Sequence, residues 1–114
     1  MEERRASGTM QIKYDLEVSP AVLHKNLTRI INLTYKLLPM REEGAEWKKP
    51  LETIIEEMTG LNSLLVDLQE DIFPIICKLE GLFYLTEERD FGLYRRVIFE
   101  CLSLLNNVKH ECIR

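Results

Sequence analysis

The pattern of apolar residues predicts an all-α protein: an antiparallel bundle of three to four helices with a coiled-coil-like seam, preceded by one short N-terminal β-strand. Three observations carry this expectation. Apolar side chains recur at alternating spacings of three and four through most of the chain, the period that lines one face of a helix. Only five Gly and four Pro are present, too few for the many tight turns of an all-β fold. One stretch, 10–18, departs from that period and alternates strictly between apolar and polar residues. With 114 residues, 46% hydrophobic and 30% charged, the chain has the size and composition of one globular domain with enough apolar material for a core.

Residues 1–9 (MEERRASGT) are polar and precede a second methionine, so they are expected to be a flexible leader ahead of a single helical domain over 10–114. In the alternating stretch Met10, Ile12, Tyr14, Leu16 and Val18 are separated by Gln11, Lys13, Asp15 and Glu17, and no later segment repeats the alternation to provide a partner strand. Ser19-Pro20 reads as a helix start, with a hydroxyl at the cap and a proline at the first helical position, where its missing N–H costs nothing. A helix is expected over about 20–38, carrying Leu23, Leu27, Ile30, Thr34 and Leu37 on one face and halted by Pro39. The charged connection that follows contains Gly44, and Trp47 is expected to pack where the next helix begins.

From Leu51 to Leu82 the seam runs without a break through Ile54, Met58, Leu61, Leu65, Leu68, Ile72, Ile75 and Leu79. Pro74 removes a backbone donor and clashes with the preceding turn, so the run is divided into helices of about 48–72 and 74–84. Thr86 is expected to cap a last helix over about 87–112, with Glu87 and Glu88 in its first turn opposing the helix dipole. That helix continues the spacing through Phe91, Tyr94, Ile98, Cys101, Leu105, Val108 and Cys112. Short connections between such segments make sequential helices antiparallel neighbours. Ile55, Leu64, Val97, Leu102 and Leu104 widen the stripe, leaving apolar surface for a partner.

A net charge of −4 argues against a general nucleic-acid binder. Three cysteines without a CxxC pair, and no apolar secretory segment near the N-terminus, point to an intracellular setting, cytoplasmic or nuclear, with no membrane partner. The sequons at Asn26 and Asn32 then read as chance matches inside a helix.

Candidate chemistry is sparse. The paired acids Glu42-Glu43, Glu56-Glu57, Glu70-Asp71 and Glu87-Glu88 lie off the seam, whereas a dinuclear metal bundle needs carboxylates converging on the core. Cys101, His110 and Cys112 lack the second ligand pair of a structural zinc site, and all three cysteines, Cys77 included, are expected to pack as small core hydrophobes. His24 and His110 have no partner serine in a glycine-flanked turn, and Asp90-Phe91-Gly92 reads as a cap and helix start. No catalytic, cofactor-binding or metal-binding residue is expected.

Charge is unevenly distributed. From Ser19 to Arg41 the charged residues are Lys25, Arg29, Lys36 and Arg41, whereas Leu51 to Ile72 holds Glu52, Glu56, Glu57, Asp67, Glu70 and Asp71. These helices either steady their own packing, at a few tenths of a kcal/mol per exposed pair, or present opposite charges to partners.

The favoured reading is a non-catalytic protein-protein interaction module, a small subunit or regulator of a larger assembly. Its candidate partner-binding residues are Ile12, Tyr14 and Leu16 on the strand, Lys25, Arg29 and Lys36 on the first helix, and Glu56 and Asp67 on the second. The strand would extend a partner's sheet or pair with its copy in a dimer. Two alternatives differ in class. An alternating strand followed by a Ser-Pro helix start resembles the element order of ribbon-helix-helix DNA-binding dimers, which implies strands in the major groove; here Asp15 and Glu17 would set negative charge against phosphate. A small helical enzyme is the other, and no set of residues assembles its chemistry.

Overall fold

The computed structural model describes residues 10–11, 17–18, 20–65 and 68–112, and it is an all-α bundle of four helices: α1 Pro20–Glu42, α2 Lys48–Leu64, α3 Gln69–Gly81 and α4 Phe91–Cys112. Short 3₁₀ turns at Leu82–Tyr84 and Glu88–Asp90 join α3 to α4. Each helix packs on its sequence neighbours, and the first and last helices share the most extensive contact, which closes the ring. The cross-helix pairs fix the directions. Tyr35 meets Phe99 and Arg41 meets Phe91 and Tyr94, so α1 and α4 run antiparallel.

The seam positions form the core. Leu23, Leu27, Ile30 and Leu37 of α1, Leu51, Ile54 and Met58 of α2, Ile72, Ile75 and Leu79 of α3, and Tyr94, Ile98, Cys101 and Leu105 of α4 are all buried. Thr34, the polar member of the seam, is buried with its Oγ1 donating to the Ile30 carbonyl at 2.8 Å, so its hydroxyl costs little.

The expected single strand over 10–18 is not what the described residues form. Two short strands, β1 Met10–Gln11 and β2 Glu17–Val18, pair antiparallel with each other, Met10 opposite Val18 and Gln11 opposite Glu17. The two ends of the alternating stretch therefore lie side by side, antiparallel. Residues 12–16 lie outside the described residues, as do the leader 1–9 and the Ser19 cap.

Helix boundaries also differ from expectation. Pro39 does not halt α1, which runs on to Glu42. The stop comes from Gly44, at φ 77°, where Gly44 N–H donates to the Arg41 carbonyl at 3.2 Å and Ala45 N–H to the Met40 carbonyl at 2.8 Å. A proline on the exposed side of a helix forfeits one hydrogen bond, whereas the left-handed backbone at a glycine ends the helix outright. Likewise Pro74 does not divide the middle run. The chain breaks at Leu65, where φ −99° and ψ 99° are extended, and Pro74 lies inside α3. The break keeps both flanking seam residues in the core, Leu65 2% and Leu68 0% exposed. Gln69 Nε2 donates to the Asn62 carbonyl at 2.9 Å, so the first side chain of α3 satisfies an orphan carbonyl at the end of α2. Glu70 and Asp71 then occupy the first turn of α3, where the helix dipole favours acids. The start of the last helix is displaced too: the cap is not Thr86 but Glu87, with Asp90 three residues on closing a capping box by accepting from the Glu87 N–H through Oδ2 at 3.2 Å, and α4 begins at Phe91.

Candidate functional site

Two places on this bundle depart from ordinary solvated helix surface. The first is an open groove of about 830 Å³ between α2 and α3, lined by Glu52, Ile55 and Glu56 on one side and by Cys77, Glu80, Gly81, Phe83 and Tyr84 on the other. Its α3 wall is a stripe. Cys77 and Glu80 of α3 and Tyr84 of the 3₁₀ turn beyond it follow one another at spacings of three and four, and Phe73 precedes Cys77 by one turn of α3, outside the groove lining. Phe73 is 58% and Tyr84 84% exposed. Single exposed apolar residues are ordinary; Tyr84 and a half-buried Phe83 facing a half-buried Ile55 across a groove form a patch.

The electrostatics of the groove are one-sided. Glu52, Glu56 and Glu80 have no ion-pair or hydrogen-bond partner among the described residues, and no Lys, Arg or His lines the groove with them. Three acids on other surfaces are engaged: Glu57 accepts from Arg29 at 2.5 and 3.0 Å, Glu100 from Lys78 at 3.2 Å, and Glu87 pairs with Arg89 at 3.1 Å. Glu52 and Glu56 are one helical turn apart, a like-charge spacing that costs a helix a few tenths of a kcal/mol.

The second place is the end of the bundle where α1 meets α4. Arg41 reaches from the last turn of α1 and donates from Nη2 to the carbonyls of Leu85 at 2.7 Å and Glu87 at 2.8 Å. Its guanidinium lies 4.7 Å from the ring centre of Tyr94, 5.3 Å from Phe91 and 5.9 Å from Trp47, while Trp47 meets Tyr94 edge-on at 5.0 Å. This is a structural clamp, with the planar cation satisfying carbonyls just ahead of α4 and resting on three rings. Inside it the Tyr94 hydroxyl is buried without a hydrogen-bond partner among the described residues. Burial pushes its pKa from 10.0 up to about 12, with the nearby Arg41 charge holding it back in part.

The sequence-selected residues scatter over the surface. Lys25 and Lys36 are exposed on α1, Arg29 is tied to Glu57, and Glu56 lines the groove. Ile12, Tyr14, Leu16 and Asp67 lie outside the described residues. Cys101 is a core residue as expected, with burial pushing its thiol from 9.0 up to about 12, Lys78 lowering it and Glu100 raising it by smaller amounts. Cys77 is not: it is exposed, because position 77 falls between the buried 76 and 79 on the groove side of α3. Phe73 and Tyr84 were not singled out by the seam, although their spacing from Cys77 and Glu80 was readable. No three His, Cys, Asp or Glu side chains among the described residues converge as a metal-binding group. No described helix is long and apolar enough to cross a membrane. Comparison with protein-family models, with curated proteins and with solved structures returns no match.

Proposed function

We propose that this chain is a non-catalytic protein-protein interaction module, a small subunit or regulator of a larger assembly, and that it docks through the α2/α3 groove. The observation that carries this is the exposed Tyr84 beside the half-buried Ile55 and Phe83 in the groove, with a second exposed aromatic, Phe73, one turn before Cys77 on α3, apolar surface that the chain's own four helices leave uncovered. Aromatic side chains in a concave, partly desolvated setting are the residues on which interface energy concentrates. The proposal sets the protein in a reducing, intracellular compartment, consistent with an exposed free thiol at Cys77. The ribbon-helix-helix alternative needs strands paired between two chains, and pairing of β1 with β2 of the same chain speaks against it.

The test is affinity capture from extracts of the source cells with the wild-type chain and with a Phe73→Ser/Tyr84→Ser variant. Both positions are exposed, so the variant should melt as the wild type does. A protein retained by the wild type and lost from the variant is the expected result. Equal retention by both would remove the groove from the reading.

A further inference from the structure

Resting on that reading of the groove, we infer that its occupant is a basic amphipathic helix of another protein, with an apolar stripe flanked on both sides by Lys or Arg. The shape comes first. A trough between two antiparallel helices, open along its length and floored by Ile55 and Phe83, is the surface into which the ridge of a third helix packs. An apolar stripe that recurs every seven residues matches the spacing of Cys77 and Tyr84 along the wall.

The charges then select among helices. Both rims of the trough are acidic, Glu52 and Glu56 on α2 and Glu80 on α3, and none of the three is neutralised among the described residues, whereas Glu57, Glu87 and Glu100 on other surfaces are paired with arginine or lysine. A docked helix with Glu or Asp beside its apolar stripe would bring like charges together as water is excluded; one with Lys or Arg there would neutralise all three carboxylates. The chain's own basic helix is a poorer occupant: of its four cations Arg29 is engaged by Glu57 and Arg41 by the carbonyls of Leu85 and Glu87.

The test uses two fluorescein-labelled synthetic helical peptides of about 20 residues, alike in their leucine stripe, one flanked by lysine and the other by glutamate. Binding to the full chain is followed by fluorescence anisotropy at physiological salt. We expect the lysine peptide to bind at least tenfold more tightly than the glutamate peptide. The Glu52→Lys/Glu56→Lys variant should lose that preference, and the Phe73→Ser/Tyr84→Ser variant should bind both weakly. A Glu42→Lys/Glu43→Lys variant, with the same change in net charge away from the groove, should keep the preference. Equal affinity for the two peptides, or equal loss in the two charge-reversal variants, overturns the basic-helix inference. In that event the capture experiment still decides whether the groove is an interface. Self-association in sedimentation that Glu52→Lys/Glu56→Lys abolishes would overturn it in another way, by showing that a second copy fills the groove.

Discussion

Replacing Arg41 tests the clamp between the first and last helices. In Arg41→Met the apolar stem is kept and the guanidinium lost. Two hydrogen bonds to the Leu85 and Glu87 carbonyls disappear, made by a charged donor at 2.7 and 2.8 Å, and a bond of this kind contributes about 1.5–3 kcal/mol. Because one nitrogen serves both, they are counted as about 3 kcal/mol together. Of its three ring contacts the closest, to Tyr94 at 4.7 Å, adds about 1 kcal/mol. Against this, Arg41 Nε is buried without a partner among the described residues, which costs the wild type about 1–2 kcal/mol that the variant recovers. The net expectation is a loss of about 2–3 kcal/mol, a fall in melting temperature of roughly 10–15 °C for a domain of this size. Arg41→Lys keeps the charge but not the planar fork and should recover less than half of the loss. Urea unfolding followed by helical circular dichroism and by the emission of Trp47, the single tryptophan, reads both variants. A shift under about 0.5 kcal/mol for Arg41→Met, or full stability of Arg41→Lys, would refute the clamp.

Three further outcomes are expected. Leu65→Asp places an unpaired carboxylate where the wild-type side chain is 2% exposed, and should cost more than about 4 kcal/mol; retained cooperative melting near the wild-type temperature would contradict the buried break between α2 and α3. Tyr94→Phe removes a buried hydroxyl that has no partner among the described residues and should be neutral or stabilising by about 1 kcal/mol at pH 7. Because Tyr94 titrates near 10 when unfolded and about 12 when folded, its contribution holds below pH 10 and drains away towards pH 12. Cys101 acts in the same sense from 9 to about 12, so Tyr94→Phe should flatten only part of the alkaline decline in urea midpoints; an unchanged decline would contradict the assignment. A double-mutant cycle on Arg29 and Glu57, side chains 55% and 28% exposed, should give a coupling of about 0.5 kcal/mol that shrinks with salt, and a coupling above about 2 kcal/mol would mean the pair is far better shielded than its exposure implies.

The core was readable because burial follows the three-four period whatever the helix boundaries do. Leu51, Ile54, Met58, Leu65, Leu68, Ile72, Ile75, Leu79 and Leu82 lie on one apolar line in the sequence and all are buried, although the chain reverses direction within it. In the sequence the reversal reads at Pro74, because proline is the strongest local breaker there, whereas the chain turns at Leu65. Glu70 and Asp71 held the better signal: at the end of a helix over 48–72 they would oppose the dipole, while at the start of α3 they are favoured. Pro39 misled for a related reason, since Gly44 and the anchoring of Arg41 decide how far α1 extends, and the latter depends on carbonyls more than forty residues away. The groove was half legible. Glu56 was selected for its charge, but Phe73 and Tyr84 lie off the seam, and which off-seam apolar residues stay uncovered depends on how neighbouring helices lie against them. The charge asymmetry between the first two helices was visible, yet only pairing in three dimensions separates Arg29, which is consumed, from Glu52 and Glu56, which are not.

The ring of helices is closed by its first and last members, and this has a kinetic consequence. α2 and α3 can form a local hairpin as soon as both exist, since few residues separate their contacts. α1 finds its principal neighbour only in α4, so a chain emerging from the ribosome carries Leu23, Leu27, Ile30 and Leu37 without their main cover until the final helix is complete. The α1/α4 contact has the greatest sequence separation in the bundle and with it the largest loop-closure entropy. Arg41 and its ring cage therefore belong to the late stage of folding, and substitutions there should speed unfolding more than they slow the collapse of the α2/α3 hairpin.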